Sequence, residues 1–133
     1  MGQDGKRAIL CVDDEVIILM SLRMELRKGL GGQIVVETAT DLAGAMEAAE
    51  GLKKEGVKLS CLITDWMLPD VPGDELALKV RSVWPALPVI LMTGHADSAR
   101  AERTLSSGGP FSVLRKPWQA PALIECVKAF LEL

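Results

Sequence analysis

Apolar runs of strand length alternate along this chain with stretches of helical period, five of each. The runs are Ala8–Val12, Gln33–Thr38, Leu59–Thr64, Val89–Met92 and Phe111–Arg115. Between and after them, segments near Glu15–Lys28, Asp41–Glu55, Asp74–Val83, Asp97–Ser106 and Ala120–Leu131 read as helices. In the first of these, Ile18, Leu22 and Leu26 recur every fourth residue while Arg23 and Arg27 fall on other faces. Punctuation falls where such elements must stop. Gly29, Gly31-Gly32 and Gly56 follow helices, and Pro85 and Pro88 bracket the turn before the fourth strand. Runs such as CLIT and VILMT are apolar throughout, which fits parallel strands covered on both faces.

Strict (βα)₅ alternation predicts an α/β, doubly wound parallel five-stranded sheet with right-handed crossovers and helices on both sides. The chain's 133 residues suit one domain large enough to bury a core. No repeat, low-complexity tract or linker breaks the pattern, so a single domain over 1–133 is expected. Composition changes this picture little: 49% hydrophobic and 25% charged, with a mean hydropathy of +0.24, is globular rather than disordered. A net charge of −3 argues against a protein that binds DNA by itself, since phosphate contacts call for a basic surface. The apolar run Val16-Ile17-Ile18-Leu19-Met20 is far short of the roughly 18 residues of a membrane span. Residues 1–7 lack a signal-peptide core. Three cysteines in apolar surroundings, Cys11, Cys61 and Cys126, read as buried thiols of a reducing compartment. A cytoplasmic location is therefore expected.

In such sheets ligands bind beyond the carboxyl ends of the strands. There the first strand leads into Asp13-Asp14-Glu15, the third into Asp65, the fourth into Thr93-Gly94 and the fifth into Lys116-Pro117. Singly, each has a plain reading. Asp13 or Asp14 could cap a helix, Asp65 and Thr93 could serve turns or helix starts, and Lys116 could be a solvated lysine. Jointly, four of five strands deliver a polar group to one rim. Clustered carboxylates repel one another unless a cation sits among them, and hard oxygen ligands with open positions suit Mg²⁺ shared with a phosphate. A carboxylate can attack phosphorus to give an aspartyl phosphate, with ammonium and hydroxyl neutralising the phosphoryl oxygens. The set is complete for phosphoryl transfer onto Asp.

On four ordered stretches the chain resembles the receiver domain of two-component response regulators: LCVDDE, DWMLPDVPG opening with Asp65, LMTGHAD containing Thr93, and LRKPW containing Lys116. The resemblance implies a flavodoxin-like sheet of order 2-1-3-4-5 with Asp65 as phospho-acceptor. It implies Mg²⁺, with Mn²⁺ able to substitute, bound directly by Asp14, largely through water by Asp13, and by Asp65 and the Met67 backbone carbonyl. Thr93 would be the hydroxyl switch and Lys116 the phosphoryl partner, aimed inward by a cis bond to Pro117. The implied function is a phosphorylation-dependent signalling switch that dephosphorylates itself and is not a turnover enzyme. A histidine kinase, a phosphotransfer protein or a small phosphodonor would load it. Output would pass to a downstream protein by contact, without direct nucleic-acid or membrane binding, from a monomer or weak homodimer. A stand-alone regulator and a receiver module from a hybrid histidine kinase or multidomain regulator are both compatible.

Several residues carry two readings. Gly94 leaves room for a phosphodonor or simply makes a tight turn. His95, the only histidine, reads as a solvent-facing loop residue rather than a catalytic donor. Trp66 is expected beside the site without a chemical role, and Cys11 and Cys61 in the core. One position departs from the family pattern: Val113 stands where Tyr or Phe is usual, three residues before the lysine. Phe111 lies on the same strand face, with packing its expected role. The relay is therefore expected to run through Thr93–Asp97. Other readings fit less well. A haloacid-dehalogenase-like phosphatase needs an Asp two residues after the nucleophile, where Met67 stands. An FMN carrier would not put three acidic residues after its first strand. A pseudo-receiver usually lacks part of the acidic site.

Overall fold

The computed structural model describes residues 6–94 and 98–133. The strands are β1 (Arg7–Val12), β2 (Ile34–Ala39), β3 (Lys58–Asp65), β4 (Val89–Thr93) and β5 (Phe111–Arg115). The helices are α1 (Val16–Leu30), α2 (Leu42–Glu55), α3 (Gly73–Arg81), α4 (Ser98–Leu105) and α5 (Ala120–Leu131). All pairings are parallel, in the order β2-β1-β3-β4-β5. This is the doubly wound sheet that the alternation predicts.

Side chains alternate across the strands, so each face of the sheet builds its own core. On one face Ile9, Cys11, Ile63 and Met92 pack with Leu19, Leu22 and Leu26 of α1 and Leu123, Val127 and Leu131 of α5. On the other, Leu10, Val12, Leu62 and Leu91 meet Ala45 and Ala49 of α2, Leu76 and Val80 of α3, and Ala101 and Leu105 of α4. The inner stripe of α1 is centred on Leu19, Leu22 and Leu26, with Ile18 only half-buried at its flank. A strict spacing of four drifts around a helix of 3.6 residues per turn, so the mixed three-and-four spacing faces the sheet better. Helix α3 ends at Arg81, two residues before the expected Val83. There the backbone turns away and Trp84 Nε1 reaches Ala49 O of α2 at 2.9 Å.

Cys11 and Cys61 are fully buried and free. Burial pushes the Cys11 thiol up to about 12, with Arg23 opposing, so it remains protonated packing. Arg81 is a buried cation that the sequence reading placed only on a helix. Its guanidinium donates to Leu87 O at 2.9 Å, Leu105 O at 2.8 Å and Pro110 O at 2.9 Å. One side chain thus ties the end of α4 and the starts of β4 and β5 to α3. Burial pulls its pKa below the ordinary guanidinium value, a cost that offsets part of the gain. Arg81→Met should lose about 2 kcal/mol, because buried carbonyls left without donors cost more than the relieved burial returns. Urea titration measures this, and a wild-type midpoint would contradict it.

Register decides where the strand ends stand. Val12 lies opposite Ala39 and Thr64, Asp65 opposite Met92, and Thr93 opposite Arg115. The residues at or just past four of these ends are Asp13, Asp65, Thr93 and Lys116. Lower down, the β1–β3 register skips Ser60, so that Ala8 faces Leu59 and Ile9 faces Cys61. The skipped residue's hydroxyl accepts the Arg7 Nε–H at 3.2 Å and donates to Lys58 O at 3.3 Å.

Candidate functional site

The corner between β1 and α1 presents Asp13 and Asp14. Asp13 is 1% exposed, its N–H donates to Ala39 O at 3.2 Å, and its Oδ1 accepts from the Glu15 N–H at 2.9 Å. That local turn holds the carboxylate in place without capping α1, whose N-cap is Glu15. Oδ2 remains for the Lys116 ammonium, 3.2 Å away. Asp14 is exposed. Asp65 is partly buried at the end of β3, with Oδ1 also 3.2 Å from Lys116 Nζ. One oxygen each from Asp13, Asp14 and Asp65 lies within 4.8 Å of the others.

The charges act on one another. Burial pushes the Asp65 pKa up and Asp13 adds to the rise, while Lys116 and the Trp66 N–H oppose it. Burial alone would lower the Lys116 pKa, but Asp13 and Asp65 outweigh it and raise it. The lysine is therefore an ammonium set against Asp13 and Asp65, with Asp14 in the same cluster of carboxylates. Such a pocket favours a further cation or an electrophile that takes up carboxylate charge.

The segment after Asp65 is folded tightly against it. The Trp66 N–H donates to Met92 O and the Gly73 N–H to Trp66 O, both at 2.8 Å, while Met67 and Pro72 form a bridge. Asp70 at the tip accepts the Leu42 N–H at 3.1 Å, so this loop also caps α2 from a distance. Met67 has an exposed side chain on the loop directly after Asp65. On the neighbouring strand Thr93 is buried and its carbonyl accepts the Lys116 N–H at 2.8 Å. The Lys116–Pro117 peptide is cis. Gly94 is exposed, with open space where a Cβ would stand. His95, and with it the stretch to Asp97, lies outside the described residues. Phe111 and Val113 share a face and pack against the core of α2, α3 and α4.

Two features had no sequence signal. Asp74 at the start of α3 is completely buried. Its carboxylate accepts Arg100 Nε at 2.9 Å, Arg100 Nη2 at 3.3 Å, Thr104 Oγ1 at 2.9 Å and the Glu75 N–H at 3.0 Å. The Arg100 guanidinium also lies 5.6 Å from the centre of the Trp66 ring, so the residue beside Asp65 is in contact with α4. Trp118 Nε1 donates to Glu25 Oε1 at 2.7 Å. In sequence, Arg100 and Thr104 are merely one helical turn apart, and Glu25 is one more charge on an amphipathic helix. Nothing local names their partners.

Comparison with known proteins bears on this site. The family model described as "Response regulator receiver domain" matches residues 9–128. The chain is 32% identical over 125 residues to the hydrogenase transcriptional regulatory protein HoxA of Bradyrhizobium diazoefficiens, covering 94% of this chain and 24% of HoxA. It is 28% identical over 129 residues to the sensor kinase CckA of Brucella abortus, covering 96% of this chain and 13% of CckA. Among solved structures, a response regulator receiver domain protein from Clostridium thermocellum superposes with a TM-score of 0.79 at 25% identity, covering 95% of this chain and 94% of that one. The chain therefore spans about a quarter or less of the two curated relatives.

Proposed function

Because the chain belongs to the family of response regulator receiver domains, which act as phosphorylation-dependent signalling switches, we propose that Asp65 takes the phosphoryl group. The observation that carries this reading is the Lys116 ammonium, 3.2 Å from both Asp13 and Asp65 within a cluster of three carboxylates. An Asp65 oxygen attacks phosphorus and forms the new O–P bond. The bond from phosphorus to the donor's nitrogen or oxygen breaks, and its electron pair leaves with the donor. Lys116 stands ready to neutralise a phosphoryl oxygen, and the Thr93 hydroxyl is the group we assign to follow the phosphoryl charge.

The donor set fits Mg²⁺, since three hard carboxylate oxygens within 4.8 Å of one another match its ligand preference. Asp14 and Asp65 would hold it directly, Asp13 through water, and the Met67 carbonyl would complete the protein ligands. When bound, the ion supplies positive charge against the phosphoryl oxygens. Mn²⁺, with the same oxygen preference, would substitute.

Receiver domains work with histidine kinases and downstream effectors, and we assign loading to a kinase or phosphotransfer protein and output to protein contact. The domain is a signalling device rather than a classical turnover enzyme. Similarity to one segment of a transcriptional regulator and one of a sensor kinase is compatible with a receiver module carried in a larger protein. Among the described residues no helix is long and apolar enough to cross a membrane.

The test is intact mass after incubation with acetyl phosphate and Mg²⁺, with one phosphoryl group per chain expected. Sustained turnover without accumulation would point to a phosphatase, and an unchanged mass would refute the switch. Mg²⁺ alone should raise the melting midpoint. At tenfold excess over Kd, native-state binding contributes about 1.4 kcal/mol, and Asp14→Ala should remove most of that shift. An equal response in both proteins would contradict ligation by Asp14.

A further inference from the structure

The turn that carries Lys116 is held to the sheet and, separately, to α1. At its start the Lys116 N–H donates to Thr93 O at 2.8 Å. Two residues on, the Trp118 indole N–H donates to Glu25 Oε1 on α1 at 2.7 Å, a contact between residues 93 positions apart. Between the two, Pro117 has no N–H to contribute. Gln119, the N-cap of α5, makes no side-chain capping bond. The indole itself packs at the edge of the core shared by α1 and α5.

A tryptophan at a core edge needs some acceptor for its N–H, and a nearby carbonyl would serve. The acceptor here is a carboxylate, which makes the bond charge-assisted and stronger than a neutral one. It also stands on the helix that leaves directly from the Asp13-Asp14 corner, on the turn between the buried Leu22 and Leu26. The bond therefore joins the turn bearing the Lys116 ammonium to α1, the helix whose start follows Asp13 and Asp14. The Lys116 ammonium itself is held by Asp13 and Asp65, and of these Asp65 is the group whose charge changes on reaction.

We propose that Trp118 and Glu25 are a positioning pair that ties the Lys116 turn to α1, keeping the ammonium in reach of a phosphoryl group on Asp65. The proposal rests on Asp65 being the acceptor. Misplacing a charged group by about an ångström costs up to roughly a hundredfold in rate, so partial loosening should cost about tenfold.

The experiment compares the wild type with Trp118→Phe, Glu25→Leu, Glu25→Gln and the double variant Trp118→Phe/Glu25→Leu. Phenylalanine retains a packed ring without the N–H. Glutamine retains an oxygen acceptor, and leucine removes it. The readout is the maximal rate of phosphorylation by acetyl phosphate at saturating Mg²⁺, separated from the half-saturating donor concentration. Trp118→Phe and Glu25→Leu should each lose about tenfold in maximal rate with little change in half-saturation. Glu25→Gln should stay near the wild type, and the double variant should be no slower than the slower single one. A wild-type rate in Glu25→Leu, or losses that multiply in the double variant, would overturn the pair. Amide spectra of the unphosphorylated proteins give a second reading that needs no phosphorylation. The Lys116 and Thr93 peaks should move in Glu25→Leu and hold in Glu25→Gln, and unmoved peaks in both refute the proposal whatever the chemistry. A wild-type chain that takes up no phosphoryl group, with these peaks moving as expected, would fault the assignment of Asp65 and leave the tether standing.

Discussion

Asp65→Asn is expected to stay at its unmodified mass under conditions that place one phosphoryl group on each wild-type chain. The side chain keeps its shape, but its amide nitrogen has no free lone pair to offer phosphorus and its oxygen no longer carries the charge that drives attack. The neighbours do not replace it. Asp13 is buried, with Oδ1 occupied by the Glu15 N–H and Oδ2 by Lys116, while Asp14 lies at the exposed edge of the cluster. The fold should survive the exchange. Burial and Asp13 hold the Asp65 pKa above its ordinary value even with Lys116 opposing, so the ionised group is on balance unfavourable in the native state at neutral pH. Replacing it by a neutral amide should leave the melting midpoint equal to or above that of the wild type. Intact mass and a melting curve read both outcomes. Uptake of a full phosphoryl group by the variant would move the acceptor elsewhere in the cluster. A collapse of stability would give Asp65 a structural role that its electrostatics do not support.

Gly73→Ala should cost about 3 kcal/mol or more, the upper part of the range for overpacking, and slow phosphorylation as well. A Cβ on Gly73 would stand 2.1 Å from the carbonyl oxygen of Asp65 and 3.1 Å from Trp66 Cα. These are backbone atoms, and a backbone held on both sides cannot step aside as a flexible side chain would. The Trp66 N–H is bound to Met92 O, and the Gly73 N–H to Trp66 O. Relief therefore requires the loop after Asp65 to open, which moves the carboxylate relative to Lys116 and loosens the Asp70 cap on α2. Urea titration and the rate with acetyl phosphate are the two measurements. A stability within about 0.5 kcal/mol of the wild type, the scale of a neutral surface change, would show that the close approach relaxes freely.

The architecture was legible in the sequence because both periodicities are local. Apolar runs of four to six residues followed by amphipathic segments admit one economical solution, a parallel sheet wound on both sides, and the rule for such sheets points to their carboxyl ends. Asp13, Asp14, Asp65, Thr93 and Lys116 were all singled out as candidates by asking which residue follows each apolar run. Element ends were off by a residue or two, as at Val83, where Trp84 turns to reach Ala49 and the helix ends at Arg81.

What only the tertiary structure decided are the pairings between distant segments. That Asp74 is a buried anion held by Arg100 and Thr104, that Arg81 is a buried cation held by three carbonyls, and that Trp118 reaches Glu25 has no counterpart in local spacing. In sequence Asp74, Arg81, Arg100, Thr104 and Glu25 look like ordinary polar residues of a helix. Gly73 is similar: its place after Pro72 suggests only a turn, and the need for a missing Cβ appears once the chain has folded back onto Asp65. The physical reason is the same throughout. Hydrophobic period is written along one segment, whereas the partner of a buried charge or a close backbone approach is set by two segments meeting, and only the folded chain brings them together.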